Sequence, residues 1–597
     1  MRLLALVSGA ALLAAAALFA AETPVPPGYA GLGYRPPPVG SYRLPPLGEA
    51  ADGPVLDERG RSLALHDLLR GRVTLLGFIY THCSDVNGCP LSTHVLMGIH
   101  RAIHEDPKLR GRLQLISLSF DPIRDTPEAM RQYGENLVGE DDAGDWRFLT
   151  TPDIETLDPL LRAYGQDVQR RRSENGGGDI SHSLRVFLID DQQRIRNIYS
   201  VAFLEASLLL TDVRTVLAEK GAHAGQENDS HAPSIDLLAY SRARHLGLPP
   251  VPQPEDNPLT AEKIALGRRL FFDRRLSLNG TLSCAMCHVP EQGFTSHELK
   301  TAVGIEGRSV RRNAPTVLNS AYLTRLFHDG RDDSLEQQVW GPLLARNEMG
   351  MPSVGSVLRR LRGLPGYAEA FREAFPTRGL TLETLGMALA SYERTLIAGD
   401  SPFDRWRYGQ DKQAISPEAR RGFHLFTGKA GCSACHVIGE DYALFTDDSL
   451  RNTGVGYRAA MGGAANTRVQ LAPGVFTEVD AATLASVGEP PPADLGYYEI
   501  TQNPADRWKY KVPSLRNVAL TAPYMHDGSL ATLAEVVAFY NAGGAPNENL
   551  DPLIHPLGLN ETEQSDLVAF LEALTSRQVA SLVRDAKAAP VGDFGVE

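Results

Sequence analysis

Two short motifs combine a pair of cysteines with an adjacent histidine. Residues 284–288 (Cys-Ala-Met-Cys-His) and 432–436 (Cys-Ser-Ala-Cys-His) share the spacing Cys-x-x-Cys-His. Two thiols one helical turn apart can form thioethers to the two vinyl groups of one porphyrin, and the adjacent histidine then lies under the iron. A thioredoxin-type redox pair or a zinc site would leave the histidine unexplained in both copies. The sequence therefore predicts two c-type haems, attached at Cys284, Cys287, Cys432 and Cys435.

Cys83 and Cys89 complete the six cysteines of the 597-residue chain. All six fall into three close pairs, so none is left over for a disulfide scaffold. The net charge is −13, and no basic run of the kind that neutralises phosphates is present in the sequence. Hydrophobic residues make up 43% and charged residues 22%, which is an ordinary globular composition. These features predict a folded multidomain protein without a nucleic acid partner.

The N-terminus has the features of an export signal. Arg2 precedes an apolar stretch at 3–21 that is rich in Ala and Leu, and a Pro-rich segment follows it. We therefore expect a signal peptide over residues 1–24 and a periplasmic location. An uncleaved membrane anchor is the alternative, because the stretch approaches the roughly 20 residues that span a bilayer.

Hydrophobic periodicity divides the chain into two kinds of structure. Apolar β-rich runs around a helical segment predict an α/β sheet in residues 50–218, and amphipathic segments beyond residue 250 predict a mainly helical second half. The predicted strands are 73–80, 113–120 and 184–189, and the predicted helices are 91–104, 261–272, 380–396 and 561–574. The predicted divisions are a Pro-rich linker at 25–49, an α/β domain at 50–218, a linker at 219–248, haem units at 249–410 and 411–580, and a tail at 581–597.

The helical half contains a weak internal repeat. The first haem motif is followed by Asn-Ala-Pro-Thr-Val-Leu-Asn at 313–319 and Phe-His-Asp-Gly at 327–330. The second is followed by Val-Pro-Ser-Leu-Arg-Asn at 512–517 and Tyr-Met-His-Asp-Gly at 524–528. Because the order of the three elements is kept, we expect two similar units.

Residues 249–580 resemble the bacterial di-haem cytochrome c peroxidase and MauG family over the whole of that module. The resemblance rests on the haem motifs together with residues 265–273 (Ala-Leu-Gly-Arg-Arg-Leu-Phe-Phe-Asp), 312–316 (Arg-Asn-Ala-Pro-Thr), 329–331 (Asp-Gly-Arg) and 512–520 (Val-Pro-Ser-Leu-Arg-Asn-Val-Ala-Leu). It implies two cytochrome c-like domains, with a peroxidatic haem in the first, an electron-transfer haem in the second and a calcium ion between them.

The resemblance also implies roles for single residues. His288 and His436 match the proximal iron ligands, Gln338 and Glu348 match the distal residues of the peroxidatic haem, and Pro342 would wall that pocket. A carboxylate there can take a proton from the near oxygen of peroxide and return it to the far oxygen as the O–O bond breaks. The family's calcium contacts match Asn313, Thr521 and Pro523, and oxygen ligands suit this hard ion.

Three departures from the family pattern bear on the subtype. Where the peroxidases carry a distal histidine, the chain reads Val-Gly-Ile-Glu at 303–306, so the first haem is expected to have an open coordination site; we interpret His297 as a surface residue. Fourteen residues after His526, at the sixth-ligand position of the second haem, Tyr540 replaces methionine. A phenolate favours ferric iron and resembles MauG, whereas a core tyrosine is the alternative. His328 stands where a tryptophan usually lies between the haems.

Residues 50–218 resemble the SCO/SenC family of thioredoxin-like copper proteins. The resemblance rests on residues 78–83 (Phe-Ile-Tyr-Thr-His-Cys), 89–90 (Cys-Pro), 119–127 (Ser-Phe-Asp-Pro-Ile-Arg-Asp-Thr-Pro) and 181–183 (Ser-His-Ser). It implies copper bound by Cys83, Cys89 and His182, a ligand set that suits Cu(I) and allows Cu(II). Five residues separate the cysteines where three are usual. Thiol–disulfide chemistry is the competing interpretation.

The expected fold is therefore an α/β thioredoxin-like domain followed by two mainly α-helical cytochrome c-like domains. The leading functional hypothesis is a periplasmic peroxidase that reduces hydrogen peroxide to water with electrons from a small donor protein, a c-type cytochrome or a cupredoxin. One alternative is oxidation of a specific protein substrate, as MauG does. Another is a non-enzymatic protein that relays electrons or delivers copper to a partner.

Overall fold

A computed structural model describes residues 38–83, 89–138, 144–166, 168–170, 180–182, 185–200, 204–222, 235–297, 299–461, 467–472, 475–479 and 493–592. The predicted signal peptide and the first part of the Pro-rich linker lie outside the described residues. Within these ranges, no helix combines the length and the apolar character needed to cross a bilayer.

The front domain is an α/β structure, as the sequence predicts. Its strands are β1 Gly48–Glu49, β2 Pro54–Leu56, β3 Ser62–Ala64, β4 Val73–Ile79, β5 Leu113–Ser119, β6 Trp146–Leu149, β7 Val168–Arg170, β8 Ile180–His182, β9 Arg185–Ile189 and β10 Arg194–Ser200. Its helices are Leu65–Leu69, Cys89–Glu105, Pro127–Val138, Ile154–Ala163 and Ala206–Ala222. The three predicted strands and the predicted helix are confirmed to within two residues at each end.

In the described residues, six of these strands form one mixed sheet in the order β1-β10-β9-β4-β5-β6. Strands β4, β5 and β6 are parallel to one another, with β6 at the edge of the sheet, and β9 and β10 run antiparallel to their neighbours. Every residue of β4 and β5 is buried, as expected for strands covered on both faces. This sheet carries Cys83 just beyond the end of β4.

The second half is mainly helical. Its helices are Leu237–Arg242, Ala261–Phe272, Cys284–Cys287, Leu335–Gln338, Trp340–Leu344, Val354–Gly363, Tyr367–Ala374, Leu382–Glu393, Pro402–Arg407, Pro417–Thr427, Val455–Met461, Tyr498–Thr501, Leu533–Asn541, Glu561–Glu572 and Val579–Lys587. The predicted helices are confirmed, two of them in a shorter form. Two small antiparallel pairs were not predicted: Leu450–Arg451 with Tyr510–Lys511, and Thr467–Ala472 with Val475–Val479.

The internal repeat is confirmed by two helix crossings. A Cβ on Gly267 would lie 1.8 Å from the carbonyl oxygen of Ala388, and a Cβ on Gly422 would lie 2.0 Å from that of Asp566. Only glycine permits backbones to approach so closely. Each unit therefore packs one helix before its haem motif against one near its end.

A pair of asparagines extends the same correspondence. Asn319 and Asn517 both have a φ of +61°, a conformation that asparagine tolerates better than most residues. The Asn319 N–H donates to the Leu396 carbonyl at 2.9 Å, and the Asn517 N–H donates to the Leu574 carbonyl at 3.1 Å. Leu396 thus corresponds to Leu574, in agreement with the crossing of the helices.

Three segments pack with a different unit than their place in the chain suggests. Strand β1, which falls in the predicted linker, pairs with β10 of the front sheet. Phe403, from the end of the predicted first haem unit, packs in the core of the second. The helix Val579–Lys587, predicted as the end of the second unit and a tail, packs its Leu582 into the core of the first. The apolar side chains of Phe403 and Leu582 explain two of these placements, since burial of apolar surface drives packing. Backbone hydrogen bonds hold β1, from Leu47 to the Ile195 carbonyl and from Ala50 to the Gln193 carbonyl, both at 2.7 Å.

Candidate functional site

The first haem motif forms one turn of helix, Cys284–Cys287, with His288 as its C-cap. Burial raises the pKa of both thiols, that of Cys287 to about 12, so both are protonated at neutral pH. The Nδ1 of His288 lies 3.3 Å from the Phe294 carbonyl oxygen, an arrangement in which Nδ1–H donates and Nε2 is left for a metal. Burial lowers the pKa of His288 and keeps the imidazole neutral, which is the form that binds iron.

The second motif has the same arrangement. The Nδ1 of His436 lies 2.8 Å from the carbonyl oxygen of Phe445, and burial again lowers the pKa of the imidazole. Phe294 and Phe445 have φ values of +57° and +53°, a left-handed conformation that is rare for bulky residues. The residues at both motifs therefore fit a covalently attached haem with an oriented proximal histidine.

The predicted distal residues of the first haem are held in one compact turn. The Met349 N–H donates to the Pro342 carbonyl at 3.0 Å, and the Glu348 N–H donates to the Ala345 carbonyl at 3.0 Å. Gln338 ends the helix Leu335–Gln338, immediately before this turn. The spacing of ten residues between Gln338 and Glu348 is thus accommodated by a short helix and a tight reversal.

Glu348 lies near the first haem motif. Burial raises the pKa of its carboxyl, and Arg331 opposes this effect. In turn, the Glu348 carboxylate raises the pKa of the Cys287 thiol, which requires the two groups to be close. The structure thus brings together a histidine, a cysteine pair and a buried carboxyl in the first unit.

Tyr540 occupies the corresponding region of the second unit. It lies one residue before the end of the helix Leu533–Asn541. Burial raises the pKa of its hydroxyl, and Cys432 and Cys435 raise it further. The phenol is therefore close to the second cysteine pair, at a place where a bound ferric ion would favour its ionised form.

His328 lies between the two units. Its Nε2 is 2.9 Å from the Asn313 carbonyl oxygen, and its own carbonyl accepts from the Lys511 N–H at 2.7 Å. Burial, together with the nearby His526, lowers the pKa of His328 to about 3, so the ring is neutral. The His328 ring is thus held within the first unit by Asn313, and its backbone carbonyl is bonded to Lys511 of the second unit.

The predicted calcium residues meet at the same boundary. Asn313 is 8% exposed, and its N–H donates to the His526 carbonyl at 2.7 Å, just beyond Pro523. Its Nδ2 donates to the Lys300 carbonyl at 2.9 Å, which leaves Oδ1 as the side-chain atom that could bind a cation. The Thr521 hydroxyl donates to the Val518 carbonyl at 3.0 Å, and the backbone carbonyl of Thr521 would be the atom that contacts a cation. This donor set fits a hard cation.

In the front domain, the thiols of Cys83 and Cys89 contact each other. Cys89 begins the helix Cys89–Glu105 and is 1% exposed. Its pKa is raised by a hydrogen bond with the Cys83 side chain and by burial. Two adjacent thiols fit either a soft metal or a disulfide.

His182, the third predicted copper ligand, ends strand β8 and pairs with Val168. Its side chain lies outside the described part of the structure. Among the described side chains, no group of three His, Cys, Asp or Glu could hold a metal. His297 is exposed, as predicted, and its ring bonds to the Leu520 carbonyl.

Two residues near the first haem motif were not singled out from the sequence. Glu393 is 6% exposed, lies near Cys284, and has a pKa raised by burial to about 8. Arg331 acts on Glu348 and stacks over the Phe327 ring at 3.3 Å from its centroid. Arg331 belongs to a motif that the sequence analysis quoted, but only the folded chain brings it to Glu348.

Comparison with known proteins agrees with this arrangement. Residues 261–412 match the family described as di-haem cytochrome c peroxidase, and residues 54–218 match SCO1/SenC. The chain is 41% identical over 344 residues to "Methylamine utilization protein MauG" of Methylorubrum extorquens, which covers 58% of this chain and 86% of that protein. It is 41% identical over 350 residues to "Cytochrome-c peroxidase IdrP1" of Denitromonas iodatirespirans, which covers 58% of this chain and 89% of that protein.

A similar solved structure is that of a MauG-like protein associated with microbial copper homeostasis. It shares 32% sequence identity, covers 56% of this chain and 95% of its own, and has a TM-score of 0.46. The relative from Methylorubrum extorquens is aligned over most of its own length at well above 30% identity. The chain therefore belongs to the di-haem cytochrome c peroxidase and MauG family, and it carries an SCO1/SenC domain in front of the peroxidase region.

Proposed function

We propose that this chain is a periplasmic di-haem peroxidase that reduces hydrogen peroxide to water with electrons from a small donor protein. The observation that carries the proposal is the buried carboxyl of Glu348, close to the Cys284–Cys287 motif and with a pKa raised by burial. A carboxyl in such a place can both accept a proton and return it. The balanced reaction takes hydrogen peroxide, two electrons and two protons to two waters.

The residues of the first unit have separate roles in this reaction. His288 would hold the iron through Nε2, because its Nδ1–H is engaged by Phe294. When bound, this haem supplies the redox centre at which peroxide is reduced. Glu348 takes a proton from one peroxide oxygen and gives it to the other, while the Gln338 amide orients the substrate. Pro342 closes the pocket, and its carbonyl bond to Met349 holds Glu348 in place.

The second unit would receive the electrons. His436 and Tyr540 would hold the iron of its haem, and the phenolate would keep the potential low. His328 links the two units through Asn313 and Lys511. A calcium ion held by Asn313, Thr521 and Pro523 would keep the same boundary rigid. The donor is a c-type cytochrome or a cupredoxin.

The front domain would bind copper through Cys83, Cys89 and His182. The contact between the two thiols supports a shared soft metal. Titration of the full chain with Cu(I) should give one tight site, which is lost in Cys83→Ser and Cys89→Ser. If copper does not bind and the two cysteines instead cycle with glutathione, thiol redox is the role of this domain.

A second candidate is oxidation of a specific protein substrate. Tyr540 favours it, because a phenolate ligand stabilises oxidised states of iron. Relatives named as MauG and as cytochrome-c peroxidase are equally similar to this chain. The two candidates share the first unit and differ in the electron source.

The test of the proposal is Glu348→Gln in the haem-loaded chain. Peroxide turnover with a reduced donor should fall about a hundredfold or more, because a general acid–base group contributes that much. Both haems should stay attached. Glu369→Gln is the matched control, since Glu369 is an exposed residue of the same unit that pairs with Arg372. Unchanged turnover in Glu348→Gln would remove this carboxyl from the reaction.

A further inference from the structure

The front domain touches the first haem unit along one strand. The strand β10, Arg194–Ser200, lies against the 3-10 turn Ile305–Gly307. On the same strand, the Ile198 Cδ1 atom lies 3.7 Å from the position of a Cβ on Gly280. The strand therefore reaches two separate segments of the haem unit, residues 274–280 and residues 305–307.

A buried polar chain anchors this contact. An Nη of Arg274 donates to the Oδ1 of Asn197, whose Nδ2 donates to Asp212 at 2.7 Å. The Tyr199 hydroxyl donates to the same carboxylate at 2.7 Å. Burial lowers the pKa of the Arg274 guanidinium, and Asp212 and Tyr199 oppose this effect. A guanidinium that reaches a buried carboxylate through one amide is a specific connection between two domains.

The C-terminal segment strengthens the same boundary. Arg275, the neighbour of Arg274, donates to the Gly592 carbonyl at 2.9 Å. A Cβ on Gly592 would lie 2.0 Å from the carbonyl oxygen of Pro46, in the segment that leads into the front sheet. The first haem unit is thus connected to the front domain through Arg274 and also through Gly592, to which Arg275 donates.

Both segments that β10 reaches are bonded to the backbone of the distal turn. The Ile305 N–H donates to the Glu348 carbonyl at 2.9 Å, and the Leu278 N–H donates to the Met349 carbonyl at 2.8 Å. A Cβ on Gly350 would lie 2.2 Å from the Ile305 side chain and 3.6 Å from the Leu278 Cβ. The turn that carries Glu348 is therefore enclosed by the two segments.

We propose that strand β10 of the SCO-like domain is a positioning element of the peroxidatic site. It holds residues 274–280 and 305–307, and these two segments fix the backbone of Glu348 and Met349. Arg274 and Asn197 are positioning residues that act through this backbone. The expected effect on peroxide reduction rests on the proposed role of Glu348. The contact of β10 with residues 274–280 and 305–307 does not depend on that role.

Hydrogen exchange in the full, haem-loaded chain tests the connection without peroxide. In Arg274→Ala, the amides of Ile305 and Leu278 should exchange about tenfold faster than in the wild type. Their protection depends on hydrogen bonds made by residues 274–280 and 305–307, which β10 holds in place. Ile198→Ala is the second variant, which weakens the apolar part of the contact and keeps the polar chain. Arg372→Ala, an exposed arginine of the same unit, is the control and should change neither amide.

The outcomes separate this inference from the proposed function. Faster exchange at 276–280 and 303–309 in both interface variants, with no change in Arg372→Ala, supports the positioning role. Unchanged exchange at both segments in both variants overturns it, even if peroxide turnover depends on Glu348. Conversely, a Glu348→Gln variant with full turnover would remove the proposed function and leave the exchange result standing.

Discussion

The two haem units share one scaffold and differ in the titratable residue that lies near each cysteine pair. Both orient that histidine with a carbonyl from a left-handed phenylalanine, Phe294 or Phe445. In the first unit a buried acid, Glu348, interacts with the cysteine pair, and in the second unit a buried phenol, Tyr540, does so. The comparison teaches that attachment and proximal geometry are common to the repeat, whereas reactivity is set by a few later residues.

A second difference lies near the cysteine motif. Leu396 and Leu574 correspond through their bonds to Asn319 and Asn517. Three residues before each, the first unit has Glu393 and the second has Leu571, and both side chains are 6% exposed. The second unit thus has an apolar residue at this buried position, as packing favours. The first unit buries a carboxyl there, which packing alone does not explain.

The largest expected effect comes from replacing Tyr540 with methionine, the residue that the classical peroxidases use at this position. In Tyr540→Met, the potential of the second haem should rise by on the order of 100 mV or more, because a thioether favours ferrous iron and a phenolate favours ferric iron. Spectroelectrochemical titration measures it. Tyr524→Phe, at a half-buried tyrosine of the same unit, is the control. An unchanged potential would mean that Tyr540 is not a ligand.

The next effect concerns the contact between the units. Arg312 and Asp494 form a forked ion pair, with Nε–Oδ2 at 2.6 Å and Nη2–Oδ1 at 2.8 Å. Burial raises the pKa of Asp494, but Arg312 more than offsets it, so the pKa lies well below its usual range. Asp494→Asn should lower the free energy of unfolding by about 3 kcal/mol, because it leaves a largely buried guanidinium without one of its partners.

The sign of the pH dependence follows from the lowered pKa of Asp494. The stabilisation is complete above the unfolded pKa of about 3.9 and is lost as the pH falls below it. Denaturant unfolding of wild type and Asp494→Asn at pH 7 and pH 3 measures this, and the difference should shrink at pH 3. Glu563→Gln, at an exposed pair with Lys429 inside one unit, is the control. A constant difference would show that the charge of Asp494 is not the cause.

The smallest effect tests the buried acid of the first unit. The pKa of Glu393 is raised by burial to about 8, so the stability it contributes is present below the unfolded pKa of about 4.3 and is lost as the pH rises toward 8. Glu393→Gln cannot ionise, so its free energy of unfolding should lack the fall that the wild type shows between pH 5 and pH 8.5. Denaturant unfolding at pH 5 and 8.5 measures it. Equal pH dependence in both proteins would contradict the raised pKa.

The parts of the fold that local spacing determines were predictable. The helix Ala261–Phe272 and the runs around β4 and β5 agree with the predictions because their apolar pattern has a clear period. The haem motifs were identified because covalent attachment needs neighbouring residues.

The remaining parts depend on contacts between distant segments. Strand β10 was not predicted, because the adjacent polar residues Arg196 and Asn197 interrupt its apolar alternation, at the point where its register with β9 shifts. The nearness of Arg331 to Glu348, the burial of Glu393, and the contact of Arg274 with Asn197 have no local signal in the sequence. They arise only when the units pack together.

The proposed roles of His288 and Tyr540 require that the first iron keeps one free coordination position and that Tyr540 binds the second. The most direct measurement is the low-temperature electron paramagnetic resonance spectrum of the ferric chain, in the wild type and in Tyr540→Phe. We expect one high-spin signal from the first haem and one low-spin signal from the second, with only the low-spin signal changed by the substitution. Two low-spin signals in the wild type, or a spectrum unaffected by Tyr540→Phe, would contradict this account.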